Sequence, residues 1–203
     1  MVSPLSEIEG KKGQLRDEVL RKRNSLSAPN RVLHSATILQ RLFEQPSVRE
    51  AQWLEFYVSY GSEVETSGMI AHALAHGKRV AVPKVEAPNR MILSEIHHPV
   101  RELEPGWRGI REPKAEFLRP VPVDQIGVLI VPGTAFDEKG HRIGKGVGFY
   151  DRFLPQAVGR IPIVAVAFDL QVVPEIPVFP HDIPVDCIVT EKRVIDCKGN
   201  RES

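Results

Sequence analysis

Apolar and polar positions change their spacing several times along the chain, and each change marks an element. From Ile8 to Leu26, Leu15, Val19, Leu20 and Leu26 form a loose apolar face. Lys11, Lys12, Arg16, Arg21, Lys22 and Arg23 crowd the other face, a pattern that predicts a basic helix. Ser27-Ala28-Pro29-Asn30 supplies a stop and a new cap. A second helix follows, with Val32, Leu33, Ala36, Ile38, Leu39 and Leu42 apolar, so the N-terminus reads as a helical hairpin. From Trp53 to Val58 the run is dense and β-like. Helical spacing returns from Thr66 to His76, with Thr66 as its expected cap, and Arg79 to Pro83 is a short apolar strand. This β-α-β unit is the mark of a parallel sheet covered by helices.

A proline- and charge-rich middle, Glu86 to Pro122, carries one expected strand at Met91–Ile96. Ile126 to Pro132 is continuously apolar, as in a central strand buried on both faces. After a glycine-rich loop, Phe149 to Val158 reads as a helix, Ile163 to Phe168 as a buried strand and Cys187 to Thr190 as the last strand. The expected fold is α/β: a three-layer sandwich with a mostly parallel central sheet and the helical hairpin in front. Residues 1–203 read as one domain, with loose termini at 1–10 and 195–203.

Composition narrows the function classes. The chain has 203 residues, 42% hydrophobic and 26% charged, and 27 Lys+Arg against 26 Asp+Glu leave a net charge of +1. That balance argues against a nucleic-acid binder, despite the basic first helix. Cys187 and Cys197 are too few for a disulfide framework and read as free thiols of a reducing compartment. No stretch approaches the roughly 20 apolar residues of a membrane span, and no apolar signal core opens the chain. A cytoplasmic, monomeric protein without membrane or nucleic-acid partners is expected.

The strongest chemical signal runs from Val131 to Asp151. Gly144, Gly146 and Gly148 alternate with Lys145 and Val147, and Arg142 and Ile143 precede them. Glycines at every second position let backbone amides approach an anion, and two cations share the loop. With a strand before it and Phe149-Tyr150-Asp151 opening a helix behind it, the segment predicts a phosphate cradle. Its spacing is neither that of a Walker A loop nor that of a dinucleotide fingerprint. Lys12 and Arg16, four apart around Gly13, Gln14 and Leu15, lie on one helix face and suit a polyphosphate. Glu63, in the loop after the first β run, is placed where open α/β sheets bind ligands and suits a pterin's adjacent donors. Glu65 reads as a solvated loop residue. Asp182 and Asp186, in a proline-rich turn, are hard-oxygen candidates for Mg²⁺.

Together these segments resemble the 5-formyltetrahydrofolate cyclo-ligase family, from Lys12 to Thr190. The resemblance rests on the Lys12/Arg16 pair, Tyr57 with Glu63–Thr66, Gly109–Pro113, Val131–Asp137, the Arg142–Asp151 block and His181–Asp186. It implies ATP-dependent closure of 5-formyltetrahydrofolate to 5,10-methenyltetrahydrofolate, with ADP and phosphate released. It also implies roles for individual residues. Lys12, Gly13, Gln14, Leu15 and Arg16, with Arg142, Ile143, Gly144, Lys145, Gly146, Val147, Gly148, Phe149 and Tyr150, would bind ATP. Val58, Glu63, Lys145 and Phe149 would touch the reduced folate. Asp151 and Asp182 would hold Mg²⁺, and Lys12, Arg142 and Lys145 would act in catalysis. Phe149 stands where the family often has Tyr, which leaves an inert or altered-substrate homologue as the alternative.

Overall fold

The computed structural model describes residues 4–86 and 90–202. The extreme termini and the start of the polar middle segment lie outside these. The chain runs α1 (Pro4–Asn24), α2 (Ala28–Glu44), α3 (Pro46–Glu50), β1 (Trp53–Phe56), α4 (Ser67–Ala75), β2 (Arg79–Glu86) and β3 (Arg90–Ile96). Next come α5 (Pro99–Glu102), β4 (Leu103–Pro105), β5 (Arg111–Pro113), β6 (Pro120–Val121), β7 (Val128–Val131), β8 (Ala135–Asp137) and β9 (Arg142–Ile143). It ends with α6 (Phe149–Phe153), β10 (Ile163–Val166), β11 (Val172–Val173), β12 (Cys187–Val189), β13 (Val194–Asp196) and α7 (Cys197–Glu202).

The main sheet has the order β13-β12-β10-β7-β1-β2-β3-β6. Strands β12, β10, β7, β1 and β2 are parallel; β13 closes one side antiparallel, and β3 followed by β6 closes the other antiparallel. The expected mostly parallel, helix-covered sheet is therefore present. Strand β7 is buried throughout and feeds both faces. Val128 and Ile130 join the cluster under α2, α3 and α4, with Leu54, Phe56, Ile38 and Met69. Leu129 and Val131 join the opposite cluster with Phe153, Leu154 and Ile188. This two-sided burial is why the strand is an unbroken run of apolar residues.

Several expected boundaries move. Helix α2 starts as its cap requires, with the Ser27 hydroxyl accepting from the Asn30 amide at 3.4 Å. Thr66 occupies the N-cap position of α4 as expected, but its side chain makes no capping bond; the hydroxyl donates to the Tyr57 carbonyl at 2.7 Å and ties the loop after β1. The helix expected over 149–158 is α-helical only to Phe153, and a 3-10 turn around Pro155 replaces its second half. The expected loose termini are structured where described: α1 begins at Pro4, β13 adds an edge strand that buries Ile195, and Cys197 is fully buried. Helix α1 rests on the small β11-β8-β9 sheet through Val19, Ala135, Ile143 and Ile176.

Candidate active site

Chain connections set the position of the cleft. From β1 the chain crosses to β2 on one side of the sheet, and from β7 it crosses to β10 on the other. The carboxyl ends of β1 and β7 therefore diverge, and a crevice opens between them. Tyr57, Val58 and Glu63 follow β1, and Pro132 and Gly133 follow β7; all five line the cleft. The glycine-rich loop closes it with Arg142, Gly144, Lys145, Val147, Gly148, Phe149, Tyr150 and Asp151. Pro83 and Val85 of β2, with Met91, Trp107 and Ile110 of the proline-rich middle, supply an apolar wall.

The loop takes the conformation its glycines allow. Gly146 and Gly148 have φ of +85° and +72°, which side chains rarely adopt. Gly133 is required by space: a Cβ there would lie 2.3 Å from the Phe136 ring. Helix α6 is only five residues long, so the positive charge at this end comes from side chains rather than from a helix dipole.

Those side chains converge from distant segments. Arg16 donates from Nε to the Gly144 carbonyl at 2.9 Å, and its guanidinium lies beside Gly146, so α1 is fastened to the loop. Arg142 is buried and pairs with Asp151. Lys145 Nζ lies 2.8 Å from Glu63 Oε1, and Glu63 Oε2 accepts from the Tyr60 amide at 2.8 Å. That ion pair joins the loop to the carboxylate expected to bind substrate. Lys12 is also buried, paired with Asp182, and its ammonium sits 4.5 Å from the Phe179 ring centroid.

Some expected residues take other places. Leu15 and Ile143 pack in the cluster between α1 and the small sheet and do not line the cleft. Gln14 is exposed and Gly13 half-buried on α1. Asp182 lies away from the cleft wall; besides Lys12 it accepts from the Phe179 amide at 2.7 Å. Arg23, on the basic face of α1, is buried. Its Nε donates to Ser62 Oγ at 3.1 Å and its Nη1 to the Gly133 carbonyl at 3.3 Å, bracing both loops of the cleft. Burial lowers its pKa and neighbouring Glu63 opposes the shift. Sequence reasoning also missed Trp107, whose ring meets Phe149 edge-on at 5.0 Å, and Glu112, which accepts from the Trp107 amide at 3.3 Å. Only the Gly109–Pro113 match pointed to that segment. Burial pushes Cys187 up to about 11 and Cys197 up to about 12, so neither is a ready thiolate.

A family model described as the 5-formyltetrahydrofolate cyclo-ligase family matches residues 8–191. The chain belongs to this family. Among its cyclo-ligase relatives, the Escherichia coli K12 enzyme is 36% identical over 159 residues, covering 76% of this chain and 86% of its own. The mouse cyclo-ligase is 26% identical over 193 residues, covering 91% and 95%. A solved 5,10-methenyltetrahydrofolate synthetase from Aquifex aeolicus superposes with a TM-score of 0.82 at 34% identity, covering 92% of this chain and 93% of that one. Of the residues that the resemblance singled out, Val58, Glu63, Asp151 and most of the glycine loop line the cleft, whereas Lys12, Arg16 and Asp182 do not. Among the described residues no helix is long and apolar enough to cross a membrane.

Proposed function

We infer that the cleft converts 5-formyltetrahydrofolate to 5,10-methenyltetrahydrofolate at the expense of ATP. The observation that carries this reading is the Lys145–Glu63 contact, which brings a cationic glycine loop against a buried carboxylate inside one cleft. The two halves match the two substrates. Glycine amides with Arg142, Lys145, Arg16 and Lys12 suit a triphosphate. Glu63 suits the adjacent N–H donors of a pterin, and Val58, Phe149 and Trp107 suit its apolar faces.

A formamide oxygen is a poor leaving group. Its attack on the γ-phosphorus forms the O–P bond as the bond to ADP breaks. N10 then attacks the formyl carbon, loses its proton and expels phosphate as the ring closes. The protein's task is positioning and charge neutralisation. Arg142 and Lys145, both on the cleft wall, suit developing phosphoryl charge. The Lys145–Glu63 pair separates when phosphate draws the ammonium away, which frees Glu63 for the pterin.

Magnesium fits part of this site. Asp151 is partly exposed on the cleft wall and suits a phosphate-bound Mg²⁺ that needs one or two protein carboxylates. Asp182, paired with Lys12 and bonded to an amide, suits the alignment of Lys12 better than direct ligation. The ion would supply further charge neutralisation at the phosphates.

The deciding experiment mixes protein, MgATP and 5-formyltetrahydrofolate and follows methenyltetrahydrofolate absorbance together with ADP. Both products should rise in equal amounts. Nucleotide binding without either product would overturn the reading in favour of an inert homologue.

A further inference from the structure

Glu55 occupies the middle of β1, flanked in register by Ala81 of β2 and Leu129 of β7, and it is fully buried. Its neighbours Leu54 and Phe56 turn toward α2 and α4, so Glu55 turns to the other face, toward α6. There the Tyr150 hydroxyl donates to Oε1 at 3.0 Å, while Oε2 has no hydrogen-bond partner among the described residues. A carboxyl in such surroundings is costly. None of the binding or phosphoryl-transfer roles assigned above uses it.

Burial pushes Glu55 up to about 8, and the bond from Tyr150 offsets only part of that rise. The carboxyl is therefore a neutral acid at pH 7. The ionisable groups around the pair are Tyr57, on the same chain segment, and Arg142, on the far side of Tyr150. Both tyrosines are raised by burial first, so neither carries charge near neutrality. Arg142 lies over the Tyr150 ring, its guanidinium carbon 5.8 Å from the centroid, and then pairs with Asp151. A continuous line of contacts thus runs from the sheet centre to the glycine loop.

We propose that Glu55 is a positioning residue of this cyclo-ligase: the buried acceptor that fixes the Tyr150 hydroxyl and, through the ring, the Arg142 guanidinium. The proposal rests on the assignment of Arg142 to the nucleotide phosphates. Without the acceptor the Tyr150 hydroxyl is buried and unsatisfied, and the ring shifts to find one. Small displacements of a phosphate-binding cation are expensive in catalysis. Ionised Glu55 would place an uncompensated negative charge beneath the ring and draw Arg142 away from the phosphates. Activity should therefore fall as pH rises past the Glu55 titration.

Steady-state kinetics read by ADP release, from pH 6 to 9.5, test this on the full chain. Glu55→Gln keeps an acceptor and cannot ionise. It should match the wild type at pH 7 and lose the wild-type decline above about pH 8. Glu55→Leu should raise the KM for ATP roughly tenfold at pH 7 and leave the KM for 5-formyltetrahydrofolate unchanged. Tyr150→Phe should do the same, and combining it with Glu55→Leu should add nothing. An unchanged ATP KM in folded Glu55→Leu, additive losses in the double variant, or the same alkaline decline in Glu55→Gln as in wild type would each overturn the proposal. If Glu55→Leu does not fold, the Glu55→Gln profile decides alone. Arg142→Ala separates the underlying assignment. A raised ATP KM there with none in Glu55→Leu refutes Glu55 alone, and no change there removes Arg142 from the phosphates as well.

Discussion

Replacing Glu55 by Gln should make the fold more stable, and by an amount that grows with pH. The carboxyl goes from an ordinary 4.5 to about 8 on folding. Between those values the folded chain binds the proton more tightly than the unfolded chain. The associated stability is fully present below pH 4.5 and is lost as pH rises through about 8. At 1.36 kcal/mol for each pH decade, the full loss is about 5 kcal/mol. That is an upper bound, since water or Arg142 would move toward the carboxylate once it ionised. The side chain is fully buried, so solvent screening does not reduce the figure in the folded state as described. Glutamine is nearly isosteric, keeps the Tyr150 bond and does not titrate. Urea unfolding at pH 5, 7 and 9 measures the difference. The wild type should lose stability relative to Glu55→Gln by several kcal/mol from pH 5 to 9. A difference that stays constant over that range would show that Glu55 is not a neutral acid in the folded protein and would refute the burial argument.

Lys12→Ala should weaken ATP binding more than folate binding, and Arg16→Ala should do the same by releasing α1 from Gly144; calorimetric titration of each ligand into each variant separates the two effects. Glu63→Gln should reduce folate affinity by roughly 1.5–3 kcal/mol, the range for a charged hydrogen bond, while nucleotide affinity holds. Equal loss of both ligands would point to a collapsed loop after β1. Asp151→Asn should depress turnover strongly and raise the magnesium needed for half-maximal rate, whereas Asp182→Asn should act through Lys12 and raise the KM for ATP at saturating magnesium. A magnesium titration of both variants distinguishes them, and normal turnover of Asp151→Asn at every concentration would leave Asp151 as a partner of Arg142 only. Trp107→Ala should raise the KM for 5-formyltetrahydrofolate several-fold with ATP unaffected, because its ring packs on Phe149 in the apolar wall.

The elements of the central sheet and the loop that closes the cleft were legible in the chain itself. Val128–Val131 and Ile163–Val166 are unbroken apolar runs because both of their faces are covered, and that demand is written locally. Gly146 and Gly148 report a backbone requirement, a positive φ, that no tertiary contact needs to explain. Local pattern does not say which element covers a strand or which charge meets which. Glu55 sits in a β-like run among apolar residues, and only the packing of α6 on that face makes it a buried acid beside Tyr150. Lys12 and Asp182 are 170 residues apart, so their pairing follows from α1 lying across the end of the fold. Arg23 belongs to the same basic stripe as Arg21 and Lys22, yet it alone of the three is buried, because the loops after β1 and β7 close over that one position. Local pattern placed the basic residues on one face of α1, and long-range packing decided which of them left water.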